Sequence, residues 1–301
     1  MLKVSKLLCC APKKNSSKGD YEDAFTAPKS INISEKIVKV AVADGATESS
    51  FSREWSNLLV NKYTGDQFNL RDENYRKTII GEWEERIGKN KLTWFGAEKL
   101  SKGAFSTFLG LSLDLENDKW KAESIGDSCF FIIREGKLLQ SFPVVNSSEF
   151  NSNPYLLSSK EENNKFLDKN IKNSSGTLLA GDLLILATDA LAFWFLKEVE
   201  DSKQPWIFFL QLIDDRQKLE EKKILFKNWS LLKDIWVKSN NIIDTQAFDL
   251  FIREVFDKSD KNNEIEQWSF KNWLFSNWLD KIRNMRYIKN DDTTLYMLKI
   301  Y

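Results

Sequence analysis

Between residues 105 and 142 four apolar runs follow one another at spacings too short for a helix between them. They occupy 105–113, 120–125, 130–133 and 138–142, with turn-forming residues at Glu116, Asn117 and Asp118 and again at Glu135 and Gly136. A parallel pairing needs a crossover of about a dozen residues or more, so this spacing predicts antiparallel hairpins. Upstream, 37–43 reads IVKVAVA and runs into Asp44 and Gly45, the pattern of a buried strand ending in a tight turn. Downstream, Gly181 and Asp182 open 183–187, which is apolar throughout and therefore predicted to be central, and 293–301 closes the chain as a β-rich strand.

Helical periodicity accounts for much of the rest. Phe51, Trp55, Leu58 and Leu59 form one stripe, with residues 47–50 as its expected capping side chains, and Tyr75, Ile79, Trp83 and Ile87 form a second. The stretch 190–286 is predicted helical, from spacings such as Phe248, Phe251, Ile252, Val255 and Phe256. It holds Trp194, Trp206, Trp229, Trp236, Trp268, Trp273 and Trp278. Tryptophan favours interface hot spots, but at helical spacing the stronger reading is inward packing. The segment 146–176, rich in Ser, Asn and Lys, has little periodicity and reads as a long surface excursion of the kind that forms lids. Neither a repeat nor a flexible linker divides the chain, so 1–301 reads as one elaborated domain.

Composition narrows the chemistry. Lys plus Arg and Asp plus Glu both number 44, so no net basic field points to nucleic acid or an anionic membrane. The complete absence of histidine excludes Ser-His-Asp triads, Cys-His pairs, imidazole acids and histidine zinc sites. Carboxylate chemistry remains. The cysteines are Cys9, Cys10 and Cys129, a poor disulfide framework, which favours a reducing, cytoplasmic setting. The apolar part of 1–12 is shorter than a signal segment of roughly 7–15 residues and reads as a first strand, with acylation of the paired cysteines as the alternative. No run approaches the ~18 apolar residues of a spanning helix. The expectation is a monomer without nucleic-acid or membrane partners.

Acidic residues stand at the ends of the strand-like runs: Glu22 and Asp23, Asp44, Asp189, then Asp291 and Asp292. Strand ends can gather distant side chains, and gathered carboxylates repel unless hard cations such as Mg²⁺ or Mn²⁺ neutralise them.

The ordered set Glu22-Asp23-Ala24, Val42-Ala43-Asp44-Gly45, Gly126-Asp127-Ser128, Leu186-Ala187-Thr188-Asp189 and Asp291-Asp292-Thr293-Thr294 resembles the PPM-type, or protein phosphatase 2C, metal-dependent phosphatases. The resemblance runs from Lys18 to Leu295. Each motif alone has a plainer reading, as a turn or a solvated acidic pair, and their joint order carries the signal. The resemblance implies an α+β fold, a four-layer α-β-β-α sandwich of two packed antiparallel sheets flanked by helices. It implies hydrolysis of phosphoserine and phosphothreonine in proteins by a water activated between two divalent cations, with a weaker third metal position. Asp44 matches the bridging ligand, Gly45 offers its carbonyl, and Asp189 and Asp291 match the carboxylates of the other ion. Glu22 and Asp23 match residues acting through water, Asp127 matches the third-metal aspartate, and Lys18 stands where the family has a phosphate-binding arginine. Asp292 is a neighbour of the ligand rather than a ligand.

The chain departs from the pattern at Lys18, at Ala46-Thr47-Glu48-Ser49 after Gly45, and at Ala190. Lysine offers a point charge where arginine offers a fork, and Lys13, Lys14 and Arg53 are candidate helpers. These departures keep two alternatives open: a module without turnover that binds phosphoproteins as a regulatory partner, and a phosphatase for a small metabolite.

Overall fold

The computed structural model describes residues 1–16, 20–26, 36–47, 49, 51–65, 68–88, 100–150, 153–213 and 264–301. The strands are β1 (Val4–Ala11), β2 (Ala24–Phe25), β3 (Ile37–Ala43), β4 (Phe105–Ser106), β5 (Phe108–Asp114), β6 (Lys119–Ile125), β7 (Cys129–Arg134), β8 (Lys137–Phe142), β9 (Leu157–Ser158), β10 (Lys172–Thr177), β11 (Leu183–Ala187) and β12 (Thr293–Ile300). The principal helices are α1 (Ser52–Tyr63), α2 (Glu73–Gly88), α3 (Asp189–Glu200), α4 (Trp206–Ile213) and α5 (Glu264–Asn284).

Two five-stranded sheets run in the orders β1-β12-β11-β7-β8 and β10-β6-β5-β3-β2. Their pairings are antiparallel. Alternate residues of each strand point to opposite faces, and the central strands of both sheets are covered on both, while β8, β6 and β10 keep exposed residues. Val40, Leu111, Phe130, Leu184 and Leu298 meet in the core between the sheets. On the outer face of the first sheet Phe131, Ile185 and Met297 pack against Phe195, Phe209 and Phe275 of α3, α4 and α5. On the outer face of the second, Ala41, Ala43 and Ile125 pack against Trp55, Leu59 and Trp83 of α1 and α2. The result is the four-layer α-β-β-α sandwich. β11, buried at every residue, is the middle strand of its sheet, as its unbroken apolar run requires.

Trp194 and Trp206 are buried, and Trp278 packs against the same cluster, its ring edge-on to Trp194 at 4.9 Å between centroids. These three belong to the core. Trp229 and Trp236, with Phe248, Phe251, Ile252, Val255 and Phe256, lie outside the described residues. Among the described residues no helix is long and apolar enough to cross a membrane.

Four local expectations need correction. The run 105–113 breaks at Thr107, whose N–H and hydroxyl are both bonded to the main chain of Asp44, so β4 leaves the sheet to pair with β9. The spacing 125–129 is no hairpin: β6 and β7 lie in different sheets, and Gly126, at φ 89°, starts the crossing between them. The 146–176 segment is built into the fold rather than laid over it. It contains β9, a helical turn at Leu167–Asn170 and most of β10, which forms the edge of the second sheet against β6, and Leu157 and Leu167 are buried. Its polar letters serve tight turns and an edge strand, which leaves no periodicity to read. Finally, α1 begins after Phe51, held at φ 62° with no side-chain cap bond; the Ser49 hydroxyl instead donates to the Ala46 carbonyl and accepts from Phe105 N–H. Glu48 and Ser50 lie outside the described residues.

Candidate functional site

Strand register explains why the acids meet. Ala187 of β11 pairs with Leu295 on one side and Cys129 on the other, so Asp189, Asp291 and Asp127 all project from one end of the first sheet. Ala24 pairs with Ala43 at the edge of the second sheet, which sets Asp23 beside Asp44. The carboxyl groups feel one another. Asp44 is pushed well above its ordinary range by burial first, then by the charges of Asp23, Asp189, Asp291 and Asp127. Asp189 lies within side-chain hydrogen-bonding reach of Asp44.

The turn bearing Asp44 is fixed by its neighbours. Its N–H donates to the Thr107 hydroxyl at 2.9 Å, and its carbonyl accepts from Thr107 N–H at 2.8 Å and from the Ser106 hydroxyl at 2.9 Å. Thr107 in turn shares a 2.8 Å hydroxyl contact with Ser128, joining this turn to the Asp127 crossing. A Cβ on Gly45 would lie 2.8 Å from the Glu22 carbonyl and 3.0 Å from Ser52, so glycine is required by close approach.

Asp23 is buried between the two sheets' ends. Its Oδ2 accepts from Thr294 at 2.8 Å, Thr188 at 3.0 Å and Tyr21 at 3.3 Å, while its buried Oδ1 has no hydrogen-bond partner among the described residues. Asp292 plays a main-chain role, accepting from Lys13 N–H at 2.8 Å and Glu22 N–H at 2.7 Å. Glu22 thus held accepts from the Ser52 hydroxyl at 2.9 Å and stands 3.5 Å from the Lys13 ammonium. Lys13, Glu22, Thr47, Ser52 and Arg53 line a surface cleft of about 530 Å³. Lys14 points elsewhere, to Asn284. Lys18 lies outside the described residues.

At the other side of the cluster Asp189 Oδ1 accepts from Ala190 N–H at 2.6 Å, at the first turn of α3, where Ala190 is already helical. The Lys289 ammonium lies 2.6 Å from Asp291 Oδ2 and 3.6 Å from Asp189 Oδ2. Buried Arg283 ties the loop down, donating to the carbonyls of Pro12 and Asp291 and to the Thr293 hydroxyl.

The sequence profile of protein phosphatase 2C matches residues 15–229. The chain belongs to the protein phosphatase 2C family. Among curated proteins none matches it. Solved structures similar to it include the phosphatase domain of the cell fate determinant SpoIIE from Bacillus subtilis, at 17% identity over 99% of this chain and 92% of that one with a TM-score of 0.39. The photosystem II phosphatase PBCP shares 15% identity over 99% and 98% with a TM-score of 0.49. The catalytic domain of the serine/threonine phosphatase PstP, in complex with two manganese ions, shares 11% over 100% and 99% with a TM-score of 0.49. The profile match includes Glu22, Asp23, Asp44, Asp127 and Asp189; Asp291 lies beyond it and is returned to the cluster by β12 pairing with β11.

For a protein phosphatase 2C chain, the question is whether these residues suit divalent metal. The donors are oxygens only, which suits hard cations. The unpartnered Asp23 Oδ1 and the ammonium between Asp189 and Asp291 both mark places where positive charge is wanted. Among the described residues no three acidic or cysteine side chains already stand close enough to cage an ion. The donor set fits a hard divalent cation, and the Lys289 ammonium lies against two of its members.

The metal-free cluster has a pH signature. Burial pushes Asp127 up to about 7 from its ordinary 3.8, aided by Asp189. Burial also raises Asp23, Asp44 and Asp189. Between about pH 4 and 7 the folded chain therefore keeps a proton on Asp127 that the unfolded chain has lost, and stability falls as pH rises through this window. The slope is up to about 1.4 kcal/mol per pH unit for such a group. Thermal unfolding in chelator is expected to show a lower midpoint at about pH 7.5 than at about pH 5, with saturating Mn²⁺ flattening the difference.

Sequence reasoning missed Tyr21, Thr107, Arg283 and Lys289. Thr188 and Thr294 lay within the quoted motifs, and Tyr21 beside one, but nothing in a loop sequence distinguishes Lys289 from a solvated charge.

Proposed function

We propose that this phosphatase 2C chain hydrolyses phosphoserine and phosphothreonine in proteins, with Asp44, the Gly45 carbonyl, Asp189 and Asp291 holding two divalent cations, Mg²⁺ or Mn²⁺. Asp127 is available to a third, and Glu22 and Asp23 act through water. When bound, such ions polarise a water for in-line attack at phosphorus and offset charge on the phosphate oxygens. The observation that carries the reading is the strand register that sets Asp23 and Asp44 of one sheet at the end of the other that bears Asp127, Asp189 and Asp291, with Asp23 bonded across to Thr188 and Thr294, in a chain with no histidine.

The chain's own groups supply orientation and attraction. Three hydroxyls fix Asp23, so its unpartnered oxygen is presented without rotamer freedom. Lys13 and Arg53 line the surface cleft together with Asp20, Glu22 and Glu54, so they offer a phosphate on a protein loop local cationic contacts rather than a net positive field. One chain contributes every acid, which supports action as a monomer. The three cysteines, none in a disulfide, support a cytoplasmic setting.

A second reading, a phosphoprotein-binding module without turnover, is favoured by one observation: Lys289 stands between two of the predicted ligands. Phosphate release from phosphoserine, phosphothreonine and phosphotyrosine peptides decides between them. The proposal expects release from the first two with Mn²⁺ and none with chelator. Peptide binding without release at any metal concentration supports the second reading, and equal release in chelator sinks the metal-dependent one.

A further inference from the structure

Each of the two carboxylates at the α3 side of the cluster has one oxygen already engaged by the main chain. Asp189 Oδ1 accepts from Ala190 N–H at 2.6 Å, and Asp291 Oδ1 accepts from Asp292 N–H at 3.1 Å. The remaining oxygens, both Oδ2, face the same ammonium, that of Lys289 at 3.6 and 2.6 Å. Arg283, in the last turn of α5, is directed at the Asp291 carbonyl and not at its carboxylate. Lys289 is exposed, its side chain retaining 66% of its accessible surface, so it can swing into solvent without breaking packing.

We infer that Lys289 is a tethered counter-cation that competes with a divalent ion for the Oδ2 atoms of Asp189 and Asp291. The inference rests on the metal-dependent reading above. An ammonium and a divalent ion at those two oxygens disfavour each other, because like charges a few ångströms apart repel. With the ion absent, the lysine offsets the repulsion between the carboxylates. With the ion present, the lysine is displaced, and its lost contacts subtract from metal affinity. The exposure of the side chain makes this a device that sets the metal concentration at which the site loads, rather than a permanent block.

Calorimetric titration of Mn²⁺ into the chelator-stripped full chain tests this, with wild type beside Lys289→Met and Lys289→Arg. Met keeps the stem and removes the charge. The expected result is Mn²⁺ binding tighter by about tenfold or more in Lys289→Met, and no tightening in Lys289→Arg. Thermal unfolding supplies a second readout: Lys289→Met is expected to melt below wild type in chelator and to match or exceed it in saturating Mn²⁺. Unchanged or weaker binding by Lys289→Met, with Mn²⁺ still bound by wild type, overturns the role of Lys289 alone. A midpoint lowered equally with and without Mn²⁺ also overturns it, because the lysine would then only pin the loop. Absence of Mn²⁺ binding in all three proteins removes the metal-dependent reading itself and this inference with it.

Discussion

Asp44→Asn is expected to lower phosphate release by about 10³-fold while leaving the metal-free chain as stable as wild type or more so. The activity loss follows from placing a carboxylate that feels Asp23, Asp189, Asp291 and Asp127 at the centre of the charge that stabilises the reaction; removing a single preorganised electrostatic group costs about 10²–10³-fold, and in the proposed reading this one serves two ions. The stability result has the opposite sign for the same reason. Asp44 is burdened by burial and by Asp23, Asp189, Asp291 and Asp127, so an uncharged isostere relieves repulsion. The main-chain bonds to Thr107 and Ser106 survive, since none involves the carboxyl group. Initial rates on a phosphothreonine peptide and a thermal midpoint in chelator check both halves. A variant that loses activity only by unfolding would contradict the account.

Gly45→Val carries the largest expected stability cost among substitutions at the site. Its Cβ would meet the Glu22 carbonyl at 2.8 Å and the main chain of Ser52 at 3.0 Å, and neither can rotate away as a long side chain could. Overpacking of this kind costs about 1–3 kcal/mol, and the β-branch places the expectation at the upper end. Because Glu22 is one of the displaced groups, activity falls with stability. Gly81→Ala is the matched control: it lies in α2 with nothing within 4 Å of a built Cβ, so relief of the glycine penalty stabilises the helix by about 0.5–1 kcal/mol. Urea unfolding of the two variants beside wild type, with m-values compared, separates the cases.

What sequence could show depended on how each residue is constrained. β11 was legible because a strand covered on both faces is apolar without interruption, β3 because its β-branched run is broken only by Lys39, and Asp44 and Asp189 because they stand within two residues of the ends of these strands. The crossing at Gly126 was not, since a three-residue spacer looks the same whether the next strand pairs or changes sheet. Nor was the folded state of 146–176, where Asn164 supplies order by bonding to the main chain of Ser158 in both directions, a pattern invisible to hydropathy. The work of Asp292 in holding Lys13 and Glu22 could be read only from the fold. Arg283, at the end of α5, and Lys289, in the loop after it, act through contacts with residues distant in sequence, Pro12 and Asp189 among them, and no spacing of charges announces such contacts.

The central claim is that carboxylates from both sheets meet to hold divalent cations, with Asp44 between them. Equilibrium binding of Mn²⁺ to the stripped wild-type chain and to Asp44→Asn tests it most directly. The account predicts saturable binding of two ions by wild type and loss of that binding in Asp44→Asn, whereas no saturable binding by wild type, or the same binding by both proteins, would contradict it.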